Sequence, residues 1–315
     1  MKPENIADGI YYDMPEAQYR ALQFAHYSAV KSLCLGKTPA HYIALRDNIE
    51  CDSDSKAFGR LVHEALLTPK ALECVEKLPE NIKARRGAEW EQLRDAFPEK
   101  TFLPSSEWKT FQKERDVAYR VRDSILNHPI AGELMRGIRT EVVLIWTDKE
   151  TGVRCKARVD IFGRDADYLG DIKTTSKFIP YQIARSGYYF GYHIQSAMYT
   201  DAACQLTGKD PKDPMPFWFI FVESEYPHLP LLCNGHSAFD ERKQAAEFHD
   251  SEESYEGYLA NRAQSLEFLE FGREQYKAAL RTIAQCENTG EWEGHPYTPL
   301  DMVIPKWAGS EGVYY

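Results

Sequence analysis

Between Glu141 and Thr175 the chain reads EVVLIWTDKETGVRCKARVDIFGRDADYLGDIKTT, and this stretch limits the fold more than any other. Two apolar, β-rich runs, Glu141–Thr147 and Val153–Ile161, flank the polar pentapeptide Asp148–Gly152, a hairpin connection that ends in glycine. A third run, Tyr168–Lys173, follows. Asp160 closes the second run, and Asp171 and Lys173 stand two apart on the third, so they point to one face of a strand. Burying an unpaired charge is expensive, so charged residues in apolar strands need a reason. An acid on one strand beside an acid and a lysine on the next could hold a divalent cation and stabilise a phosphodiester under attack.

A chain of 315 residues can form one large domain or two ordinary ones, and its 43% hydrophobic content supplies a substantial core. No run of eighteen apolar residues and no basic-then-apolar N-terminus occurs, so the expectation is a soluble, unexported protein in a reducing compartment. Cys34, Cys51, Cys74, Cys155, Cys204, Cys233 and Cys286 are odd in number and never form a CxxC pair. That disfavours a zinc site, an iron–sulfur cluster and a disulfide framework, and reads as reduced cysteines packed as small hydrophobes. The net charge of −10 opposes nucleic-acid binding as a total. A bound cation reverses the field locally, however, and DNA contact needs only a local basic track. Arg85-Arg86, Arg60, Lys31, Lys37, Lys177 and Arg185 are candidates for one.

Upstream, Gly9–Tyr12 reads as extended and Pro15–Gln23 as helical. Ser28 is a candidate N-cap for a helix to Leu35, and Pro39 opens the next helix through Arg46. After a polar loop over 47–55, SKAFGRLVHEALL (Ser55–Leu67) is strongly helical: Phe58, Leu61, Val62, Ala65 and Leu66 form one apolar face. Residues 69–104 read as irregular, and 105–136 as one or two helices. Downstream of the strands come a helix or helix pair over 181–206, a hairpin over Pro214–Leu232, a helix over 252–286 and a tail rich in Pro, Trp and Gly. The simplest organisation is one domain over 1–315: a mainly helical part (1–136) carrying His63, a sheet core (137–235) with the metal site, and a C-terminal helix with a wrapping tail (236–315).

A lone D-x-K is a weak signal. It gains weight from Gly59-x-x-x-His63 on an upstream helix, Glu141 opening the strands, and Gln195-x-x-x-Tyr199 one turn apart on a downstream helix. That ordered set resembles the RecB-like branch of the PD-(D/E)xK nucleases, and more closely the C-terminal nuclease domain of RecE-type exodeoxyribonucleases. Trp146-Thr147-Asp148-x-Glu150-Thr151-Gly152, Asp171-x-Lys173-Thr174-Thr175, Tyr192-His193-x-Gln195 and Ile304-Pro305-Lys306-Trp307-Ala308 extend the likeness from about residue 10 to residue 308. No P-loop, no GxGxxG after a strand, no HExxH and no G-x-S-x-G elbow is present, which leaves no support for an ATP-driven motor or those hydrolases.

The resemblance implies an α/β (α+β) fold with a restriction-endonuclease-like core, a mixed central sheet wrapped by helices. It implies Asp160 and Asp171 as carboxylates on Mg²⁺ (or Mn²⁺), with His63 and the Ile172 carbonyl as further ligands and Lys173 as the residue that orients the attacking water. Gln195 and Tyr199 would bind DNA phosphate, with Arg60 and Lys177 nearby. Glu141 is either a ligand or supporting group, or an ordinary strand-edge charge. The implied activity is ATP-independent digestion of the 5′ strand of linear duplex, leaving 3′ tails. The implied partners are duplex DNA ends, a RecT-like annealing protein and further copies of the chain in a tetrameric ring, in the cytoplasm of a bacterial or phage-infected cell and away from membranes. A RecB-like endonuclease, a flap- or single-strand-directed nuclease, and a catalytically silent DNA-end-binding protein remain open beside it.

Overall fold

The unbroken apolar run Val142–Trp146 calls for a sheet covered on both faces, and the computed structural model has that form. It describes residues 6–47, 54–82, 84–176, 178–210, 214–236 and 252–295. The polar loop at 48–53, Lys177 and the motif Ile304–Ala308 lie outside the described residues. In chain order the elements are β1 (Gly9–Tyr11), α1 (Glu16–Ala21), β2 (Ala25–His26), α2 (Tyr27–Cys34), α3 (Pro39–Asp47), α4 (Asp54–Leu67), α5 (Pro69–Glu73), β3 (Val75–Lys77), α6 (Ala88–Ala96) and β4 (Thr101–Leu103). Then come α7 (Ser105–Asn127), α8 (Pro129–Leu134), β5 (Arg139–Thr147), β6 (Arg154–Phe162), β7 (Leu169–Thr175), α9 (Pro180–Phe190), α10 (Tyr192–Thr207), β8 (Phe217–Glu223), β9 (Pro230–His236) and α11 (Glu252–Thr289).

β5 and β6 form the expected antiparallel pair, from Arg139↔Phe162 to Thr147↔Arg154. Their connection closes through Asp148 N–H to the Val153 carbonyl at 2.9 Å, with Gly152 at φ +75°, a left-handed turn that favours glycine. The mixed sheet runs β1-β5-β6-β7-β8-β9, with β2 also on β6. β5 takes one edge of β6, so β2 and β7 share the other. β2 pairs parallel with Cys155 and Lys156, whereas β7 pairs antiparallel only at Ile161↔Gly170 and Phe162↔Leu169. Beyond Gly170, β7 leaves β6 and runs parallel to β8, from Leu169↔Phe217 to Thr175↔Glu223. The sheet therefore splits beside Asp160.

Both faces are covered. Val142, Leu144, Trp146, Phe217, Phe219 and Phe221 face a core shared with α2, α3, α10 and α11. On β8 the alternate residues Ile220 and Val222 join Ile161, Ile172 and the apolar faces of α4, α7 and α8 on the other side. The N-terminal segment packs Leu22, Tyr19 and Phe24 on Val143 and Ile145 of β5. The fold is thus a mixed sheet flanked by helices, as expected for a restriction-endonuclease-like core. The described cysteines are free thiols. Among the described residues no helix is long and apolar enough to cross a membrane.

Two local expectations are corrected. Ser28 is not an N-cap: His26 holds that place with extended φ/ψ of −133°/156°, because pairing of β2 runs right up to the helix start at Tyr27. Residues 69–104 are not irregular. They form α5, α6 and the parallel pair β3–β4, with Leu78, Ile82 and Phe102 as a small core of their own. Elements this short give no readable hydrophobic period.

Lys156 on β6 ties the N-terminal segment to the sheet. It is only 3% exposed, and its ammonium donates to the carbonyls of Tyr19 (2.9 Å) and Leu22 at the end of α1. Burial, with Arg20 nearby, pulls its pKa down to about 8 from 10.5. In the unfolded chain the lysine stays protonated to higher pH, so between these values unfolding takes up a proton and stability rises with pH. We expect wild type to gain about 2 kcal/mol relative to Lys156→Met between pH 7.5 and 9.5. Urea unfolding of both proteins at the two pH values checks this, and parallel shifts in the two proteins would overturn it.

Candidate active site

The split between β6 and β7 opens a cavity of about 590 Å³ that side chains enter from both layers. Asp160, 8% exposed, reaches it from β6, and Asp171, 5% exposed, reaches it with Lys173 from β7. His63 comes from α4 on one face, and Gln195 and Tyr199 from α10 on the other. Glu141 of β5 and Arg158 of β6 line a further side, and Glu16, Tyr19 and Arg20 of α1 form a wall. Every described residue predicted by side chain for the site, Arg60 included, lines this one cavity. Arg85, Arg86, Lys31, Lys37 and Arg185 do not, so of the described candidates for a basic track only Arg60 lines the cavity, where Arg20, Arg158 and Lys173 add positive charge.

Once β7 leaves β6, the backbone edge of Ile172 has no strand beside it, and site side chains take its two groups. Its N–H donates to Asp160 Oδ2 at 3.0 Å, and its carbonyl lies 2.9 Å from His63 Nε2. The carbonyl predicted as a metal ligand is therefore engaged by His63. A carbonyl only accepts, so Nε2 carries a ring proton and Nδ1 is the nitrogen left for another partner. Nδ1 faces Asp160 Oδ2 at 3.4 Å, a separation that a proton or a cation between the two atoms would bridge. Gly59 eases the close approach of α4 to β7, since a Cβ there would lie 3.2 Å from Thr174 Oγ1.

Glu141 lies in register opposite Asp160 and takes φ +54°, a left-handed conformation that costs a non-glycine residue about 1 kcal/mol or more. Its carboxylate accepts from Arg158 Nε at 2.8 Å, and Arg158 also approaches Glu16 at 3.7 Å. Burial raises the Glu141 pKa. Asp160 is raised too, by burial first and then by the neighbouring Asp171. Buried carboxylates crowded in this way are a site that a cation stabilises. One ligand atom each from His63, Glu141 and Asp160 can lie within 4.8 Å of one another. Carboxylate oxygens with one imidazole whose other nitrogen is fixed by a carbonyl suit a divalent ion such as Mg²⁺ or Mn²⁺.

Asp171 is turned to its other neighbours. Its Oδ1 accepts from the Gln195 amide and its Oδ2 pairs with the Lys173 ammonium. The Gln195 amide, predicted to contact phosphate, is directed at Asp171 here. Burial lowers the Lys173 pKa, but Asp171, Tyr192 and Asp160 more than offset this and hold it above the ordinary lysine value. The ammonium also sits 5.0 Å from the Tyr192 ring centre, a cation–π contact. Burial raises Tyr199 well above 10, so its hydroxyl stays a neutral donor. His193 sits away from the chemistry, bonded to Gln275 at 2.9 Å and stacked on Phe271. Sequence reasoning missed Arg158, Glu16, Tyr19 and Arg20. For Arg158 a signal existed, since two residues before Asp160 on a strand means the same face.

An acid at the end of one strand, with an acid and a lysine two apart on its neighbour in a helix-flanked mixed sheet, defines the PD-(D/E)xK nuclease superfamily. Within it, the family model described as "PDDEXK-like domain of unknown function (DUF3799)" matches residues 27–234, and the chain belongs to that family. The match spans every predicted site residue but leaves out α1 and α11. Nucleases of this superfamily generally use divalent metals. A crystal structure from Eubacterium rectale, named "Putative exonuclease", is similar at TM-score 0.48 and 12% identity, over 91% of this chain and 96% of that one. No curated protein matches the chain.

Proposed function

We propose that this protein is a Mg²⁺-dependent, ATP-independent exonuclease that degrades the 5′ strand of linear duplex DNA and leaves 3′ single-stranded tails. The observation that carries the nuclease chemistry is the convergence of Asp160, Asp171, Lys173 and His63 on one cavity, from both sides of a split sheet. His63, Glu141, Asp160 and Asp171 would hold the metal, which supplies Lewis-acid activation of water and charge stabilisation at the phosphate. Gln195 donates to Asp171 and so holds its carboxylate in the cavity beside Lys173. Lys173 places a full positive charge where a phosphodiester gains negative charge, with the Tyr192 ring beside it. Arg158 orients Glu141, and the neutral Tyr199 hydroxyl offers a donor toward a phosphate oxygen. Arg60 and Arg20 supply positive charge at the cavity wall.

Direction, duplex preference and role come from the likeness to RecE-type enzymes. They carry with them a RecT-like annealing partner for the 3′ tail and a tetrameric ring with a central channel. A basic channel inside an acidic exterior is compatible with the net charge of −10. Linear duplexes labelled at the 5′ or the 3′ end, and a closed circle, each incubated with and without Mg²⁺, test the reading. Mg²⁺-dependent release of the 5′ label first, with the circle intact, is expected. Early release of the 3′ label reverses the direction. Cutting of the circle replaces the exonuclease by an endonuclease. No release from any substrate leaves a DNA-end-binding protein.

A further inference from the structure

We propose that the C-terminal edge of α9, where Tyr189 and Phe190 stand, is a stacking platform for unpaired bases of the DNA strand held in the cavity. The proposal rests on the nuclease reading above. Three successive aromatic residues, Tyr188, Tyr189 and Phe190, are exposed there, the last two at 60% and 54%. A soluble protein seldom leaves large rings contiguous on its surface without a use for them.

These rings are continuous with the candidate active site. Phe190 lies 5.9 Å from Tyr192, and the Tyr192 ring is the one beside the Lys173 ammonium. The Phe190 carbonyl accepts from the hydroxyl of Tyr27, itself a residue of the cavity wall, at 2.6 Å. A strand whose phosphate rests at Lys173 would bring a neighbouring base to Phe190 within a nucleotide or two.

Charge points to the same occupant. The Arg185 guanidinium lies over the Tyr189 ring at 5.6 Å. The Lys31 side chain runs beside Gly191, the residue after Phe190, within 3.0 Å of where its Cβ would be. Rings interleaved with cations suit a polyanion with flat faces, because every base offers a π surface while Arg and Lys accept the backbone charge. A base inside a duplex has both faces covered, so the platform favours unpaired bases.

The test compares wild type with Tyr189→Ala/Phe190→Ala in binding two fluorescent twelve-nucleotide strands, oligothymidylate and a fully abasic strand. Anisotropy is read without divalent metal, so that no cleavage competes. Oligothymidylate is expected to bind the variant about tenfold or more weaker, the abasic strand to bind both proteins alike, and Phe190→Trp to bind like wild type. Both rings are exposed and the Phe190 contact with Tyr27 is through its backbone carbonyl, so truncation is expected to leave the fold intact, which circular dichroism checks. Light scattering gives the particle mass of each protein. Unchanged oligothymidylate binding overturns the platform, as does equal loss on both strands. A fall in particle mass also overturns it and assigns the rings to contacts between copies. Mg²⁺-dependent release from labelled duplex by wild type, measured alongside, reports separately on the nuclease reading.

Discussion

Replacing Lys173 with alanine is expected to lower Mg²⁺-dependent nucleotide release from linear duplex by about 10²–10³-fold, with the protein still folded. Lys173 is held charged by Asp171, Tyr192 and Asp160, so the wild-type cavity carries a fixed positive charge at neutral pH. Alanine removes that charge from the place where the attacked phosphate becomes more negative. It also leaves Asp171 with the Gln195 amide as its remaining partner of the two. The loss should fall on kcat more than on KM, because the lost interaction strengthens as charge develops. Arginine should not restore the rate, since a planar fork cannot take the position of a point charge packed between a carboxylate and a ring. Steady-state kinetics and circular dichroism on Lys173→Ala and Lys173→Arg check this. A Lys173→Ala enzyme retaining a tenth of wild-type activity would sink the assignment.

The largest expected effect on stability lies away from the chemistry, at Gly272 on α11. A Cβ there would lie 2.0 Å from the His193 carbonyl oxygen, 2.4 Å from its carbon and 3.0 Å from the Ile194 nitrogen. All three are backbone atoms in the first turn of α10, so no rotamer change relieves the clash and the two helices must move apart. Separating them also loosens Tyr276, Leu280 and Ile283, which α11 buries in the shared core. We expect Gly272→Ala to cost about 3 kcal/mol. Gly294→Ala, where nothing lies within 4 Å, should stay within about 0.5 kcal/mol of wild type. Urea midpoints of the two variants decide it, and equal midpoints would mean the helices do not cross this closely. Because α10 carries Gln195 and Tyr199, Gly272→Ala should also lose nuclease activity while Gly294→Ala keeps it.

The parts of the fold legible in the sequence are those written in local pattern. The β-rich runs of β5, β6 and β8, the glycine-ended turn after Thr147 and the three-four face of α4 all announce themselves within a dozen residues. β2 does not, because two residues carry no period and its pairing is decided by where β6 lies. Nor does the split of the sheet beside Asp160, which depends on β7 preferring β8 over β6 across forty residues of chain. Asp160, Asp171 and Lys173 are legible as charges in apolar strands. That Gln195 addresses Asp171, and that Arg158 addresses Glu141, follows only from how two helical layers and α1 close on the sheet.

Ile172 gives the familiar spelling of the site another meaning. In D-x-K the middle letter is written as a blank, free to be any residue that suits a strand. Yet this residue's own amide holds Asp160 and its own carbonyl holds His63, so the blank contributes as many contacts as the letters around it. Those contacts belong to the main chain, which every residue except proline supplies in full. The side chain can therefore drift without erasing them. A pattern search scores nothing at the position through which the two halves of the site are joined.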